Sequence, residues 1–371
     1  MGFSLATEPA VADPAVTEPA RFAIRELPTE GATTVSPQAI NEFGQIVGTA
    51  PPVGKAIRWD PDRSGNGYTP TVLVQDATSA VETVEINNRG QVLGRHNSRP
   101  TLWNRQGETT HLTPSVGPGG GIDLNDRGQA LVYHEMMLFP FRAGVWSGGT
   151  FTEISEPGKS AAIGRAINNR GQATGTYLAL SGPEPTEFGF VWDKGTMTRV
   201  LGPGGRLAFT FDINDRGQVI GWTSDADERF FPFVWERGRM TELATLGSSF
   251  NFPAWHRSIN NRGQIIGVSG TTSEGSLPVM WDRGRLIELG TLGGTKASVT
   301  AINNRGQVVG WSETADGEEH AFLWERGRMT DLGTLGGKSS QATDINDRGQ
   351  VIGVSRNEAG ANRAVVWTPR R

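Results

Sequence analysis

The chain has 371 residues, 36% of them hydrophobic and 20% charged, a balance that suits a globular protein and not a disordered one. A formal net charge of −4 gives no overall basic footprint of the kind that DNA- and RNA-binding proteins carry, so nucleic acid is not an expected partner. There is no Cys, which excludes disulfides, thiolate catalysis, Fe–S clusters and Cys-ligated zinc. No apolar run approaches the roughly 20 residues a membrane-spanning helix needs.

The first segment, residues 1–20, is rich in Ala, Pro and Glu and has neither a basic nor an apolar signal-peptide region. It reads as a disordered tail, and a cytoplasmic location is expected unless a signal preceded it and was removed. Residues 21–28 follow, containing Arg25-Glu26-Leu27, which resembles Thr241-Glu242-Leu243 much later in the chain.

From there one pattern repeats. Its clearest copies, Ile-Asn-[Asn/Asp]-Arg-Gly-Gln-Val-[Ile/Val]-Gly, run from Ile213 to Gly221, Ile302 to Gly310 and Ile345 to Gly353. The key Asn recurs at Asn41, Asn87, Asn125, Asn168, Asn214, Asn260, Asn303 and Asn346, at spacings of 46, 38, 43, 46, 46, 43 and 43 residues. An apolar stretch ending in Trp follows each copy, at Trp59, Trp103, Trp146, Trp192, Trp235, Trp281, Trp324 and Trp367. These landmarks account for eight of the eleven Trp residues as structure.

Alternation within each unit predicts four short strands: one ending at the Asn, one from Gln to Gly, one ending at Trp, and one of the Met-Thr-Asp-Leu type. Periods of this length with four strands per unit predict a propeller blade, hence an all-β, eight-bladed β-propeller spanning residues 21–371 as one domain. Asn-Asp-Arg-Gly suits a type I turn with Gly in the left-handed region, and Trp-Glu-Arg-Gly is expected to turn likewise. The eighth unit stops one strand short, so the segment at 21–28 is expected to supply its fourth strand and close the ring.

Gly-Gln-Val-Val-Gly followed by His320-Ala321-Phe322-Leu323-Trp324 resembles the HAF-repeat family, over about residues 21 to 371. The other units place Lys55, Arg99, Arg142, Phe188, Phe231, Leu277 or Arg363 where the family has His. The resemblance implies an extracellular repeat protein; the family mostly lacks an assigned activity.

In such a unit the first and third turns share one face, and the longer connections share the other. The turn face is uniform and is expected to hold no specific pocket, whereas variable loops on a rigid scaffold are where binding resides. Departures from the repeat mark the second face. Where other units carry Ala50, Thr223, Ser269, Ser312 and Ser355, the second, third and fourth carry His96, His134 and Tyr177. The third unit adds Tyr133, Glu135, Phe139, Phe141 and Arg142, with Val132 in place of Gly; residues 247–257 add Phe250, Phe252, Trp255, His256 and Arg257. Trp222 and Trp311 end second strands on the same side.

His134, Glu135 and His256 are the candidate acid/base residues, since imidazole titrates near neutrality and a carboxylate can tune it. The candidate ligand contacts are His96, Tyr133, Arg142, Arg165, Tyr177, Trp222, Phe250, Phe252, Trp255, Arg257 and Trp311, with Arg165 and Arg257 able to hold a carboxylate or phosphate. Asp123, Asp212 and Asp344 share a first-strand position and are expected to serve hydrogen bonding between units. No His spacing supports a metal and no fingerprint supports a cofactor, so neither is expected. The leading expectation is a monomeric binder of an organic small molecule or oligomer, such as a glycan, peptide or secondary metabolite. A cofactor-free lyase, cyclase or isomerase using His and Glu on the same face is the alternative, and a protein-interaction scaffold the third.

Overall fold

A computed structural model describes residues 21–51, 54–65, 67–76, 81–112, 118–136, 139–154, 160–179, 187–205, 207–225, 227, 229–247, 251–254, 257–270 and 276–370. The described residues form strands and no α-helix, with a single three-residue 3-10 turn at Pro203–Gly205. None of their helices is long and apolar enough to cross a membrane. The strands fall into six sheets of four and one of eight. The larger sheet is the third and fourth units joined by one parallel bridge, Arg142 to Ala162.

Each unit is an antiparallel meander. In the fifth, Ala208–Ile213, Val219–Ser224, Phe230–Glu236 and Arg239–Glu242 pair in chain order. The unit Trp residues are buried or nearly so, with Trp59, Trp103 and Trp367 at 0% exposure, and pack in the apolar layers between neighbouring sheets. The last sheet contains Gly336–Ile345, Val351–Asn357 and Asn362–Pro369, and its fourth strand is Phe22–Glu26 from the other end of the chain. Phe22 lies opposite Pro369 and Glu26 opposite Val365, which is the pairing expected of residues 21–28.

The repeated Asn explains why units of this sequence assemble in a circle. Within its own turn, the Asn346 carboxamide oxygen accepts from the main-chain N–H of Arg348 and Gln350, and its amide nitrogen donates to Gln350 Oε1. The same nitrogen reaches across to the next unit, donating to the carbonyl of the following Asn. These links run from Asn41 to Asn87, Asn125, Asn168, Asn214, Asn260, Asn303 and Asn346, and from Asn346 back to Asn41, at 2.9 to 3.0 Å. A second circuit lies one residue further on. There the side-chain oxygens of Asn88, Asp126, Asn169, Asp215, Asn261, Asn304, Asp347 and Glu42 each accept the preceding unit's N–H. All eight units therefore present their first turns to one end of a shared axis.

The first turns have the expected geometry, with Gly44 at φ 78° and the N–H of Gly44 bonded to the Asn41 carbonyl. Four of the third turns do not. Lys194, Arg237, Arg283 and Arg326 take φ near 50° and are each followed by a Gly at positive φ, giving two-residue turns with both central residues left-handed. That mirror-image turn matches the twist of the flanking strands, which outweighs the cost of placing a basic residue there. Val132 is accommodated because the residue opposite it is Gly121. In other units the Gly belongs to the second strand, and a Cβ on Gly221 would lie 1.8 Å from the Phe209 carbonyl oxygen.

Candidate functional site

The first strands bulge at one frame position, three residues before the repeated Asn. The register shift passes over Val84, Ile122, Arg165, Phe211, Thr300 and Thr343 in their units. A bulge re-aims the side chains beside it, and the acids that follow it face the neighbouring unit. Asp123 Oδ2 accepts from the N–H of Ile167 at 2.7 Å, Asp212 Oδ2 from Ser258 at 2.7 Å, and Asp344 Oδ2 from Ile40 at 3.0 Å. Their expected role in hydrogen bonding between units matches this geometry.

Glu85 occupies the same position and turns into the axial channel, where Arg257 meets it at 2.5 Å. Arg257 also pairs with Asp344, so one guanidinium from the sixth unit joins carboxylates of the second and eighth. Its main chain has φ 50°, and its carbonyl accepts from Ile302. Sequence reasoning placed Arg257 at a ligand. The structure places it across the channel, among the residues lining the cavity there, with its counter-charges 172 and 87 residues away in sequence. The channel mouth on the turn side is a polar cavity of about 500 Å³ lined mostly by the repeated positions of the two Asn/Asp circuits.

At the opposite end, where connections between second and third strands emerge, the fifth and sixth units build an aromatic cluster. Trp222 lies opposite Phe209 across the strand pair and stacks on it with centroids 4.5 Å apart. Phe230 meets the Trp222 ring edge-on at 4.9 Å, and Phe252, from the next unit, does so at 6.1 Å. Phe230 remains 41% exposed and neighbouring Leu207 38%. The backbone under the cluster is fixed: Thr223 Oγ1 donates to the Leu207 carbonyl, and a Cβ at Gly202 would lie 2.0 Å from that hydroxyl. Beside it, Asp225 accepts from the N–H groups of Asp227 and Arg229 and from the Arg229 side chain, and these bonds hold its carboxyl below the usual carboxylate range. Trp222 and Phe252 were both expected at a site; Phe209 and Phe230 were missed, although Phe230 stands where alternation alone marks an outward residue.

The third unit brings together another expected pair. His134 is opposite Arg142, whose Nη1 contacts Glu153 at 2.7 Å, and the His134 ring meets Phe151 edge-on at 5.5 Å. Burial pushes the imidazole below its ordinary value; Arg142 adds to this and Glu153 opposes it. His134 Nδ1 is buried with no hydrogen-bond partner among the described residues. Tyr133 covers Gly120, where a Cβ would lie 2.8 Å from the Tyr ring.

The remaining candidates are dispersed. Tyr177 is buried and stacked on Phe188 at 4.6 Å inside the fourth unit, so it belongs to the core and not to a ligand surface. Its frame position is an anchor in other units: the hydroxyls of Ser269, Ser312 and Ser355 accept the N–H of Leu246, Leu292 and Leu335 in the incoming connection. His96 lies in the second unit, 3.4 Å from Asp76 and 6.2 Å in centroid distance from His111, which sequence reasoning had not placed on this side. Arg165, half-buried at the fourth unit's bulge, has its guanidinium pKa lowered by burial. Trp311 is half-buried opposite Ser298 and Ala321, two units from Trp222. Phe250, Trp255, His256 and the side chains of Glu135, Phe139 and Phe141 lie outside the described residues. No group of three or more His, Asp or Glu among the described residues is arranged to hold a metal ion.

No family model and no curated protein matches the chain. Among solved structures it is similar to dipeptidyl peptidase 4 of Porphyromonas gingivalis, with 8% identity and a TM-score of 0.61 over 90% of this chain and 58% of that one. It is also similar to the acylaminoacyl peptidase of Pyrococcus horikoshii, with 10% identity and a TM-score of 0.53 over 89% of this chain and 59% of that one. The β-propeller domain of the Trilobed protease from Pyrococcus furiosus matches 68% of this chain and 80% of its own, at 14% identity and a TM-score of 0.43. The four-stranded antiparallel meanders, linked unit to unit by the Asn circuit, give the fold of a β-propeller. The chain spans less than two thirds of the two peptidases, and at such identities the likeness concerns fold alone.

Proposed function

We propose that this β-propeller has eight blades, closed by the strand Phe22–Glu26, and binds an organic small molecule or oligomer on the face carrying its variable connections. The observation that carries the reading is the Trp222 cluster. Four aromatic rings from two blades meet at the end of the strands, with Phe230 exposed, on connections pinned by Thr223 and Asp225. Aromatic faces on a rigid base offer stacking area at little entropic cost, which suits a flat or ring-containing ligand such as a glycan, an aromatic peptide side chain or a secondary metabolite.

A second reading rests on His134. A neutral imidazole with an unengaged buried nitrogen, beside Arg142 and Glu153, has the makings of a general base next to a group that stabilises developing negative charge. Incubating the protein with metabolite and polysaccharide extracts, and following bound and solution fractions by mass spectrometry, tests both. Retention of an unchanged compound that is lost in Trp222→Ala/Phe230→Ala supports binding at the cluster. Conversion to a new mass that stops in His134→Phe supports the enzyme. Retention undiminished in the double variant sinks the placement at Trp222.

A further inference from the structure

The first and third turns, which share one end of the units, sort their charges by depth. Arg stands two positions after the repeated Asn in seven units, and eleven more Arg or Lys lie in the third turns and at the chain ends, Arg21 and Arg370, which meet there. All eighteen are exposed. Eleven Asp or Glu share these turns; ten of them are half-buried, and Glu108 alone is exposed.

The recessed acids already serve the scaffold. In the first turns Glu42, Asp126, Asp215 and Asp347 accept the N–H groups of the second circuit. In the third turns Asp193, Glu236 and Asp282 each accept from the first-turn Gln of their own unit, at 3.1 to 3.2 Å. These bonds hold the carboxylates inward, beneath an outer layer of basic side chains. With every one of these counter-charges included, the face carries eighteen positive groups against eleven negative, a balance of +7, so the remainder of a chain that totals −4 carries −11. A separation of this size gives the face a positive potential although the protein as a whole is acidic.

Shape and composition say what fits it. The first turns close tightly, with the Gly N–H on the Asn carbonyl, and four of the third turns have only two central residues, so the face is level. No α-helix stands among the described residues to enter a nucleic-acid groove from it. Phe43, at the position that is Arg in the other units, is 58% exposed among these cations. An apolar ring amid basic side chains is the composition of surfaces that lie on membranes, where the ring enters the head-group boundary and the cations meet acidic lipids.

We propose that the turn face docks on an anionic lipid bilayer, with Phe43 in the head-group layer. The attraction follows the net charge of the face and requires no unpaired guanidinium. Docked in this way, the protein holds its axial channel along the membrane normal and leaves the Trp222 cluster, at the other end of the strands, open to solution.

Sedimentation of the full chain with vesicles of phosphatidylcholine alone, and of an equal mixture with phosphatidylserine, tests this. Binding to the mixture only is expected, weakening as added salt shortens the screening length. Arg237→Gln/Arg283→Gln/Arg326→Gln, at exposed turn tips, is expected to weaken it by about a hundredfold, at about fivefold per charge, and Phe43→Ser by about tenfold. Melting temperatures stay unchanged, because neither variant removes a side chain of the Asn circuits. Equal binding to both vesicles, or to neither, overturns the proposal, as does undiminished binding in either variant. Loss of binding in Trp222→Ala/Phe230→Ala would place the contact on the opposite face and overturn it too. Binding of a DNA duplex at lower protein concentration than the mixed vesicles would overturn it in favour of a nucleic acid.

Discussion

The side-chain amide of Asn346 donates to the main-chain carbonyl of Asn41, 3.0 Å away and 305 residues distant in sequence. This contact completes the circuit of carboxamides, and a buried carbonyl and two turn N–H groups depend on the same side chain. Asn346→Ala leaves these groups without partners and is expected to cost about 3 kcal/mol of stability. Asn346→Asp keeps the acceptor, loses the donor, and should fall between. Urea unfolding monitored by Trp fluorescence measures both; a cost under about 1 kcal/mol for the Ala variant would mean that water replaces the circuit at little loss.

Arg257 balances Glu85 and Asp344 in the channel, where the side chains are 21%, 12% and 4% exposed. Arg257→Met is expected to destabilise the fold by about 2 kcal/mol, since removing one partner of a largely buried ion pair strands the others. Adding Glu85→Gln should recover part of that loss. A double-mutant cycle showing the two substitutions to be additive would rule out coupling through the channel.

Glu42 faces Asp347 in the second circuit, and burial raises its pKa above 4.5, with the neighbouring carboxylates Asp347 and Asp126 adding to the rise. A raised carboxyl favours folding most below its unfolded pKa, and that contribution disappears as pH rises through the folded value. Glu42→Gln should therefore stabilise the protein at neutral pH, with the advantage shrinking as pH falls towards 4.5. Thermal melts across that interval check the sign, and a variant less stable at neutral pH would contradict it.

For His134 the sign is reversed. Burial depresses its pKa below 6.5, so the neutral ring favours folding above that pH, and this contribution is lost as pH falls from 6.5 through the folded value. His134→Phe should flatten the decline in melting temperature over this range. An unchanged slope would show that the imidazole titrates alike in the folded and unfolded chains.

The scaffold was legible because its signals are local and repeated eight times: Asn and Gly in the first turn, Trp at the end of the third strand, and alternation between them. Pairing of the chain ends was legible from one short likeness, Arg25-Glu26-Leu27 to Thr241-Glu242-Leu243. The site was legible only where a departure from the repeat met another departure nearby, as with Trp222 and Phe252. Tyr177 departed equally but filled space within its own blade, because a frame position that ends a strand can point inward. The charge partners of Arg257 were not legible because they come from units 172 and 87 residues away, which no local pattern encodes. Net charge says nothing of distribution: −4 overall coexists with a turn face carrying Arg at seven of eight corresponding positions and Phe43 at the eighth.

The strand Phe22–Glu26 has kinetic consequences. It can pair only after the other three strands of the last sheet exist, since Phe22 and Pro369 pair across nearly the whole chain. Contacts so remote in sequence form slowly, because the entropy of closing the loop is spent before the contact repays it. The seam is thus expected to be the last interface made during folding and the first lost during unfolding. Contacts that bridge the two chain ends would therefore lengthen the lifetime of the folded state more than they change the rate at which it forms.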